Sequence, residues 1–316
     1  DALVLTVGSR PVYWSEYRFW LAYLGRYYKS AHGLSAITDW NAQQDGVALK
    51  ESFLHTATAY VCNDTAIEAQ AAANGIQLTP EDVAAQARVR EDNIKIYGSY
   101  SEYLRIVGSM YGSEAQFQYL VKIDRLSTYL FSHLYGSSGE QCSDDCVTQF
   151  VEAQHLSSVL YIFRSYTDAS GNPVTAQKRR GNHKLLKQLR VRLQASSSPA
   201  KLFSHLMEQY SDDSSLGDYP DGRLIAAGSK GAEFDRALSS LADNAYSDVI
   251  STSAGDYLIF RKPLSVNMAV DNSGTTLRYW AAYQGLFKPQ IERWCADLPI
   301  QYSDGFQHID VEGLLR

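Results

Sequence analysis

The chain has 316 residues, of which 45% are hydrophobic and 20% are charged, a composition that excludes a wholly disordered or collagen-like protein. This length predicts roughly two domains. With 29 lysines and arginines against 35 aspartates and glutamates, the net charge of −6 excludes a generally basic nucleic-acid-binding protein. No apolar run in the sequence reaches the roughly 18 residues that a membrane-spanning helix needs.

Up to about residue 155, the chain is predicted to be almost entirely helical. A short strand at 3–7 ends in a turn at Gly8, and Ser15 is predicted to cap the first helix. One face of that helix carries large residues at helical spacing: Trp20, Tyr23, Leu24, Tyr27 and Tyr28. Further helices are predicted at about 45–74, from Thr79 onward, at 100–110, at 113–135 and from Ser143 onward.

After residue 155 the pattern changes to a mixture of strands and helices. Residues 159–163 and 257–260 are apolar runs rich in β-branched and aromatic residues, which predicts two buried strands. Helices are predicted at about 176–194, 200–210, 232–240 and 275–296. We expect the last helix to pack on the N-terminal helices, because its apolar side chains are too many to stay exposed: Tyr279, Trp280, Tyr283, Phe287 and Ile291.

The middle of the chain also contains a series of short blocks. They are Leu202-Phe203, Tyr210-Ser211-Asp212-Asp213, Asp221-Gly222, Glu233–Leu238, Leu241–Ser247, Ile250–Thr252 and Gly255–Ile259. In order and spacing these blocks, within residues 157–264, resemble those of parvulin-type peptidyl-prolyl isomerase domains. The strand, turn and helix at 4–17 resemble the opening of PrsA- and SurA-type foldases, and the whole chain is similar to that family.

The resemblance implies an α+β fold with a mostly helical, discontinuous chaperone domain and an inserted parvulin-like domain, which has a small antiparallel sheet with surrounding helices. Residues 1–155, completed by 265–316, would form the first domain, and residues 156–264 the second. The implied function is an extracytoplasmic foldase or chaperone that binds unfolded or exported polypeptides. The alternatives are an active peptidyl-prolyl cis-trans isomerase and an assembly protein that uses an inactive domain for docking.

The histidines of the parvulin site are replaced in this chain. Parvulins carry one histidine on the first strand and one on the last, and the matching positions here hold Tyr161 and Tyr257. The resemblance places Asp213 at the Cys/Asp position, Phe234 at the aromatic wall of the substrate groove and Thr252 at the hydroxyl position. It thereby implies Tyr161, Asp213 and Tyr257 as the positions of the catalytic site, and Phe234 and Thr252 as substrate-binding residues.

Two interpretations of the tyrosines stay open: core strand residues with satisfied hydroxyls, or a working variant site. A phenol keeps a hydrogen-bonding tip that could pair with Asp213. Isomerisation only rotates a bond with a barrier of ~18–20 kcal/mol, and an apolar groove can lower that barrier without a proton donor. We expect isomerase activity that is absent or weak.

The remaining motifs suggest no metal and no cofactor. The seven histidines have no metal-ligand spacing, and only Cys142 and Cys146 lie close together in sequence, so a structural zinc site is not expected. In an exported protein the even number of cysteines favours disulfides, with Cys62 near Cys295 and a short bridge between Cys142 and Cys146.

The location and partners are inferred from the sequence in the same way. The sequence starts without a leader, so either a targeting segment has been removed or the sequence was trimmed, and a lipidated cysteine just upstream of Asp1 would be a natural membrane tether. Residues 156–200 hold eight lysines and arginines and one aspartate. They predict either a solvated helix face or a contact surface for acidic clients or anionic polymers.

Overall fold

The computed structural model describes residues 1–31, 39–219 and 222–315, so His32 and the Asp221 of the Asp-Gly block lie outside the described residues. The chain forms two compact units. The terminal unit comprises Asp1–Leu134 and Phe287–Arg316, and the central unit comprises Tyr135–Leu286. The compact units therefore change at 134/135 and 286/287, whereas the predicted domains change at 155/156 and 264/265.

The described elements follow one another in this order. The first segment of the terminal unit contains β1 (Leu3–Val7), β2 (Arg10–Tyr13), α1 (Trp14–Ala31), β3 (Gln43–Gln44), β4 (Val47–Ala48), α2 (Leu49–Ala73), α3 (Pro80–Tyr97), α4 (Tyr100–Tyr111) and α5 (Glu114–Tyr135). The central unit contains α6 (Asp144–Ala153), β5 (Leu156–Ser165), α7 (Ala176–Gln194), α8 (Pro199–Tyr210), β6 (Arg223–Ala226), α9 (Ala232–Ser239), β7 (Ile250–Ser251), β8 (Gly255–Lys262) and α10 (Leu277–Trp280). A π-helical segment (Ala281–Phe287) leads to α11 (Lys288–Ala296), β9 (Ile300–Tyr302) and α12 (Val311–Leu315).

Local capping chemistry sets several helix ends where the sequence predicts them. The Thr79 hydroxyl accepts a hydrogen bond from the Asp82 backbone N–H at 3.1 Å, and the Asp82 carboxylate accepts from the Thr79 N–H at 2.8 Å. This capping box, with Pro80 in the first turn, begins α3. Gly98 ends α3 in the left-handed region with φ 85°, a conformation that costs a glycine little.

The predicted Ser15 cap is wrong. Helix α1 begins one residue earlier, and the Ser15 backbone N–H donates to the Asp1 carboxylate at 3.0 Å. The cap therefore comes from a residue that precedes the β1–β2 hairpin. In contrast, the predicted Ser143 cap is confirmed, because its hydroxyl accepts from the Cys146 backbone N–H at 3.2 Å.

In the terminal unit, strands from both ends of the chain form one sheet. The order is β2-β1-β9, all antiparallel, with Leu5 opposite Tyr302. The buried apolar side chains of β1 pack with α1 and α2. Helix α11 packs on α2, and a disulfide joins Cys62 of α2 to Cys295 of α11 with the Cα atoms 5.5 Å apart.

The last predicted helix, at about 275–296, is divided in the structure. Its second part, α11, packs on an N-terminal helix as expected. Its first part, α10, packs on α6 through Trp280 and Phe150, with ring centroids 5.2 Å apart. Helix α6 lies within the predicted helical residues 1–155, so the expectation is confirmed for this part as well, although α6 and α10 both belong to the central unit. The π-helical segment lies between these two parts.

The central unit is built on a four-stranded antiparallel sheet with the order β6-β5-β8-β7. In the β5–β8 pairing, Phe163 lies opposite Tyr257 and Ile162 opposite Leu258. Since successive strand residues face opposite sides, Tyr257 and Leu258 face different layers. Helix α8 covers one face through Phe203 against Phe260, and α9 covers the other through Phe234. The predicted α+β class, with small antiparallel sheets and surrounding helices, is confirmed.

The second disulfide joins Cys142 to Cys146 at the start of α6, with Cα atoms 5.7 Å apart. Both expected pairings are therefore present. Cys142 precedes the helix and is not held at the distance of an i, i+4 helical pair, which makes the short bridge geometrically accessible. Within the described residues, no helix has the length and apolarity to cross a membrane.

We expect the two disulfides to differ in their effect on stability. Cys62 and Cys295 are 233 positions apart, so their bridge restricts the unfolded chain far more than the bridge between positions 142 and 146. The Cys62→Ala/Cys295→Ala variant should lose about 3–5 kcal/mol of unfolding free energy, and Cys142→Ala/Cys146→Ala about 2 kcal/mol. Urea unfolding under oxidising conditions measures both, and equal losses would contradict this ranking.

Candidate functional site

The tyrosines at the two parvulin histidine positions lie together in an aromatic cluster on one face of the central sheet. We define this cluster as Tyr161 and Phe163 of β5, Tyr257 of β8 and Phe234 of α9. The Tyr161 and Tyr257 ring centroids are 5.5 Å apart, and the Phe234 ring packs edge-on against each of them, at 6.2 and 5.2 Å. The strand register places the tyrosines diagonally across the β5–β8 pair, with Phe163 stacked on Tyr257 at 4.6 Å.

Tyr161 binds Asp213, as the sequence suggested. The phenol hydroxyl donates to the Asp213 carboxylate Oδ2 at 2.6 Å. Burial, the hydrogen bond to Asp213 and the charge of Asp213 all raise the pKa of Tyr161, so the phenol stays protonated and its proton stays on this bond.

Asp213 is held from the other side by the loop that follows α8. Its Oδ1 accepts from the Ser215 hydroxyl at 2.6 Å and from the Ser215 backbone N–H at 3.2 Å, and this cap begins the 3₁₀ turn Ser214–Asp218. The Arg223 guanidinium lies 3.9 Å from Oδ2. Burial favours a higher pKa, but the hydrogen bonds from Ser215 and Tyr161 and the charge of Arg223 outweigh it and lower the pKa of Asp213.

The rings of Tyr161, Phe234 and Tyr257 are buried. Tyr161 and Phe234 are 0% exposed and Tyr257 is 3% exposed. Burial also raises the pKa of Tyr257, so both phenols are neutral at working pH. Where a prolyl ring would need an apolar floor, the cluster presents four packed rings, and the Tyr161 proton is already donated to a carboxylate.

Thr252 is not part of this cluster's hydrogen bonding. Its hydroxyl donates to the Gly255 carbonyl at 3.1 Å and accepts from the Ala254 and Gly255 backbone N–H groups at 3.2 and 3.3 Å. The side chain therefore stabilises the turn between β7 and β8. Tyr161, Asp213, Phe234 and Tyr257 are brought together by the fold, whereas the Thr252 hydroxyl is bound within its own turn.

A second candidate site lies in the terminal unit. An apolar cavity of about 620 Å³ is lined by side chains of α1, α4 and α5: Phe19, Trp20, Tyr23, Met110, Tyr111 and Leu120, with Arg26 and Ser109 at its polar part. The Trp20 indole Nε1 is buried without a hydrogen-bond partner among the described residues. We call this the aromatic cavity. The helical spacing in the sequence indicated Trp20 and Tyr23 but not Phe19, and nothing in the sequence paired α1 with Met110 and Tyr111 of α4.

Two of the large apolar side chains that line the aromatic cavity are exposed to solvent. Tyr23 is 40% exposed and Met110 is 50% exposed. Behind them, Trp20 stacks on Tyr60 with ring centroids 4.5 Å apart, and Phe19 stacks on Tyr111 at 6.0 Å. The wall is thus held by ring packing, while the rim presents a phenol and a flexible thioether. In the described part of the chain, no three metal-ligating side chains cluster in a way that could hold a metal ion.

Comparisons with known proteins found similar solved structures. No family model matches it, and no curated protein matches it in sequence. Among solved structures, PrsA from Bacillus subtilis is 16% identical over 81% of this chain and 91% of its own, with a TM-score of 0.33. One of two SurA-like chaperones of Campylobacter jejuni, PEB4 and Cj1289, is 12% identical over 96% and 100%, with a TM-score of 0.32. The PPIase domain of TbPar42 is 18% identical over 33% and 98%, with a TM-score of 0.27. These are the kinds of protein that the sequence blocks resemble.

Removing the Tyr161 hydroxyl should destabilise the central unit. In Tyr161→Phe the ring packing is kept but Asp213 loses a buried donor, which should cost about 1–2 kcal/mol of unfolding free energy. Tyr257→Phe is the matched control, because its hydroxyl has no hydrogen-bond partner among the described residues, and it should cost less than about 0.5 kcal/mol. Equal effects in urea unfolding would contradict the structural role of the Tyr161–Asp213 bond.

The same bond should make stability depend on pH below about 4. Because the folded pKa of Asp213 is lowered, its contribution is complete above the unfolded-state value of about 3.9 and is lost as the pH falls through the folded value. Between about pH 6 and pH 2.5, the stability difference between wild type and Tyr161→Phe should therefore be constant at first and shrink once the pH falls below about 4. Thermal unfolding across this range measures it, and a constant or growing difference would count against the assignment.

Proposed function

We propose that this chain is an extracytoplasmic chaperone of the foldase type, which binds unfolded or exported polypeptides in the aromatic cavity of its terminal unit. Its parvulin-like central unit has little or no isomerase activity. The single observation that carries the proposal is the aromatic cavity, since its apolar wall is held by ring packing while its rim is open to solvent.

The chemistry of the cavity fits an unfolded polypeptide. Its volume of about 620 Å³ is within the range of roughly 300–1,000 Å³ typical of ligand sites, so it can take large apolar side chains. Aromatic rings and a methionine bind such side chains with low sequence demand, because ring faces and a flexible thioether adapt to different shapes.

The structure of the central unit supports the proposal that it has little or no isomerase activity. An isomerase lowers the rotation barrier by binding the twisted amide better than the planar one, which requires an accessible groove. Here Tyr161, Phe234 and Tyr257 are buried against one another, and the Tyr161 hydroxyl is bound to Asp213. The buried site is better suited to stabilising the sheet than to admitting a prolyl peptide.

An extracytoplasmic location is supported by the two disulfides. Structural disulfides persist in oxidising compartments and are rare in reducing ones. A membrane tether through a lipidated cysteine upstream of Asp1 stays a prediction, and the sequence of the full precursor tests it.

Replacing the exposed apolar residues at the rim of the aromatic cavity should reduce chaperone activity. In Tyr23→Ser/Met110→Ser the two exposed rim residues lose their apolar surface, so suppression of aggregation of an unfolded client should fall at least about threefold, a change of about 0.7 kcal/mol in binding. Light scattering of a chemically denatured client after dilution measures it.

The matched control for this test is Tyr27→Ser/Ile96→Ser. These apolar residues are 65% and 74% exposed and lie outside the cavity lining. The control should suppress aggregation like the wild type. Equal loss in both variants would indicate general surface stickiness, and no loss in either would remove the cavity from the function.

The isomerase alternative is tested by a proline-limited refolding assay on wild type and on Tyr161→His/Tyr257→His. We expect little or no catalysis by wild type, because no imidazole is present and the cluster is buried. A gain of catalysis in the double variant would show that the substitutions of the two histidines removed the activity. Inactivity of both proteins with retained suppression of aggregation would leave chaperone binding as the function of the chain. Wild-type catalysis at the level of ordinary parvulins would contradict the proposal.

A further inference from the structure

Helix α7 presents a row of basic side chains without acidic neighbours on the helix. Its 19 residues contain seven lysines and arginines and no acidic residue, in a chain whose net charge is −6. Arg180, Lys184 and Lys187 follow one another at i, i+4 and i+7 and therefore share one face. Each of the three is exposed and has no ion-pair partner within the described residues. Like charges at this spacing destabilise a helix, and a bound anionic group would remove that cost.

This row forms part of a groove that also contains the guanidinium of Arg179. The groove has a volume of about 480 Å³ and is lined by residues of α7 and β8 and of the segments flanking the sheet: Tyr166, Arg179, Arg180, His183, Lys184, Lys187, Ser251 and Asp256. We call it the α7 groove. It lies on the sheet face opposite the aromatic cluster, because Asp256 and Tyr257 are successive residues of β8.

A buried carboxylate fixes the wall of the groove. Asp256 is 1% exposed, and its Oδ1 accepts from the Tyr166 hydroxyl at 2.8 Å and from the Ser251 hydroxyl at 2.6 Å. The Tyr166 ring in turn carries the Arg179 guanidinium, 4.5 Å above its centroid. His183 Nδ1 lies 3.4 Å from the same Oδ1. Arg179 is thus held in place before any ligand arrives, which reduces the ordering cost of binding.

We propose that the α7 groove binds acidic segments of polypeptides in an extended conformation. Charge complementarity selects the carboxylates. The row from Arg180 to Lys187 is about 10 Å long at 1.5 Å per helical residue, which matches about three residues of an extended chain at 3.3 Å each. A long nucleic acid fits less well, because outside residues 156–200 the chain holds 34 acidic against 21 basic residues.

This site adds a second contact to the proposed function, and it rests on that function for the choice of a polypeptide as the occupant. Apolar segments would bind in the aromatic cavity, and acidic segments in the α7 groove. The two sites use different chemistry, so the effect of salt separates them. Binding to the α7 groove weakens as ionic strength rises, whereas apolar burial does not.

The test measures the binding of fluorescein-labelled hexaglutamate by fluorescence anisotropy, with labelled hexaglutamine as the neutral counterpart. Wild type should bind hexaglutamate at least about tenfold more tightly than hexaglutamine at low salt. Arg180→Gln/Lys184→Gln/Lys187→Gln should bind it about tenfold more weakly than wild type. These three residues are exposed, and glutamine keeps their helix propensity.

The matched control is Lys178→Gln/Arg192→Gln/Lys201→Gln. It removes the same three charges from exposed positions that do not line the groove, two of them on other faces of α7. The control should lose less than about twofold. Equal losses of hexaglutamate affinity in both triple variants would show that only the overall charge of the protein attracts the peptide, and would overturn the proposal. Equal affinity of the wild type for hexaglutamate and hexaglutamine would also overturn it. Sedimentation with anionic phosphatidylglycerol vesicles in the absence of hexaglutamate binding would overturn it in favour of a membrane surface.

The proposed function and the proposed α7 groove can be refuted independently of each other. Tyr23→Ser/Met110→Ser should keep its full affinity for hexaglutamate even when it no longer suppresses aggregation. The triple variant of the α7 groove should still suppress the aggregation of a client without acidic segments.

Discussion

The hydrogen bond between Tyr161 and Asp213 is the interaction around which the central unit is arranged. A buried phenol is stabilised when it donates its proton, because an unpaired buried hydroxyl costs free energy. Asp213 meets this need from the loop after α8, and the same carboxylate caps the next turn through Ser215. The bond therefore connects the central strand β5 to the loop after α8, and Phe234 of α9 packs against the same Tyr161 ring. The proposed lack of isomerase activity rests on this use of the Tyr161 hydroxyl.

The terminal unit depends on a different constraint, the joining of two distant parts of the chain. Strand β9 pairs with β1, and the Cys62–Cys295 bridge fixes α11 on α2. These contacts use many of the apolar residues of the C-terminal segment for the core. The large residues of α1 have two roles: Tyr17 and Leu21 belong to this core, Trp20 packs against it, and Trp20 with Phe19 and Tyr23 lines a cavity that stays partly open. This division leaves the adaptable apolar surface that a chaperone needs.

The sequence predicts the interactions between residues that are close together in the chain, and it misses those between distant residues. The capping box at Thr79, the Ser143 cap and the buried strand at 159–163 depend on neighbouring residues, and the fold has them. The Tyr161–Asp213 contact was accessible only through the resemblance, which brought distant positions together. The Asp1 cap of α1, the division of the last helix and the pairing of α1 with Met110 depend on tertiary contacts that no local pattern encodes. The resemblance also has a limit at Thr252. It implies a substrate-binding role for this residue, whereas the Thr252 hydroxyl forms its hydrogen bonds within the turn between β7 and β8.

Hydrogen exchange with and without a bound unfolded client tests the central claim most directly. The account predicts slower amide exchange on client binding in α1 and α4, which line the aromatic cavity, with no change in β5 and at Phe234. The exchange of β5 should already be slow in the free protein, since its hydrogen bonds belong to a buried sheet. Protection confined to β5, β8 and α9, with α1 and α4 unchanged, would contradict the account and place client binding at the parvulin-like site.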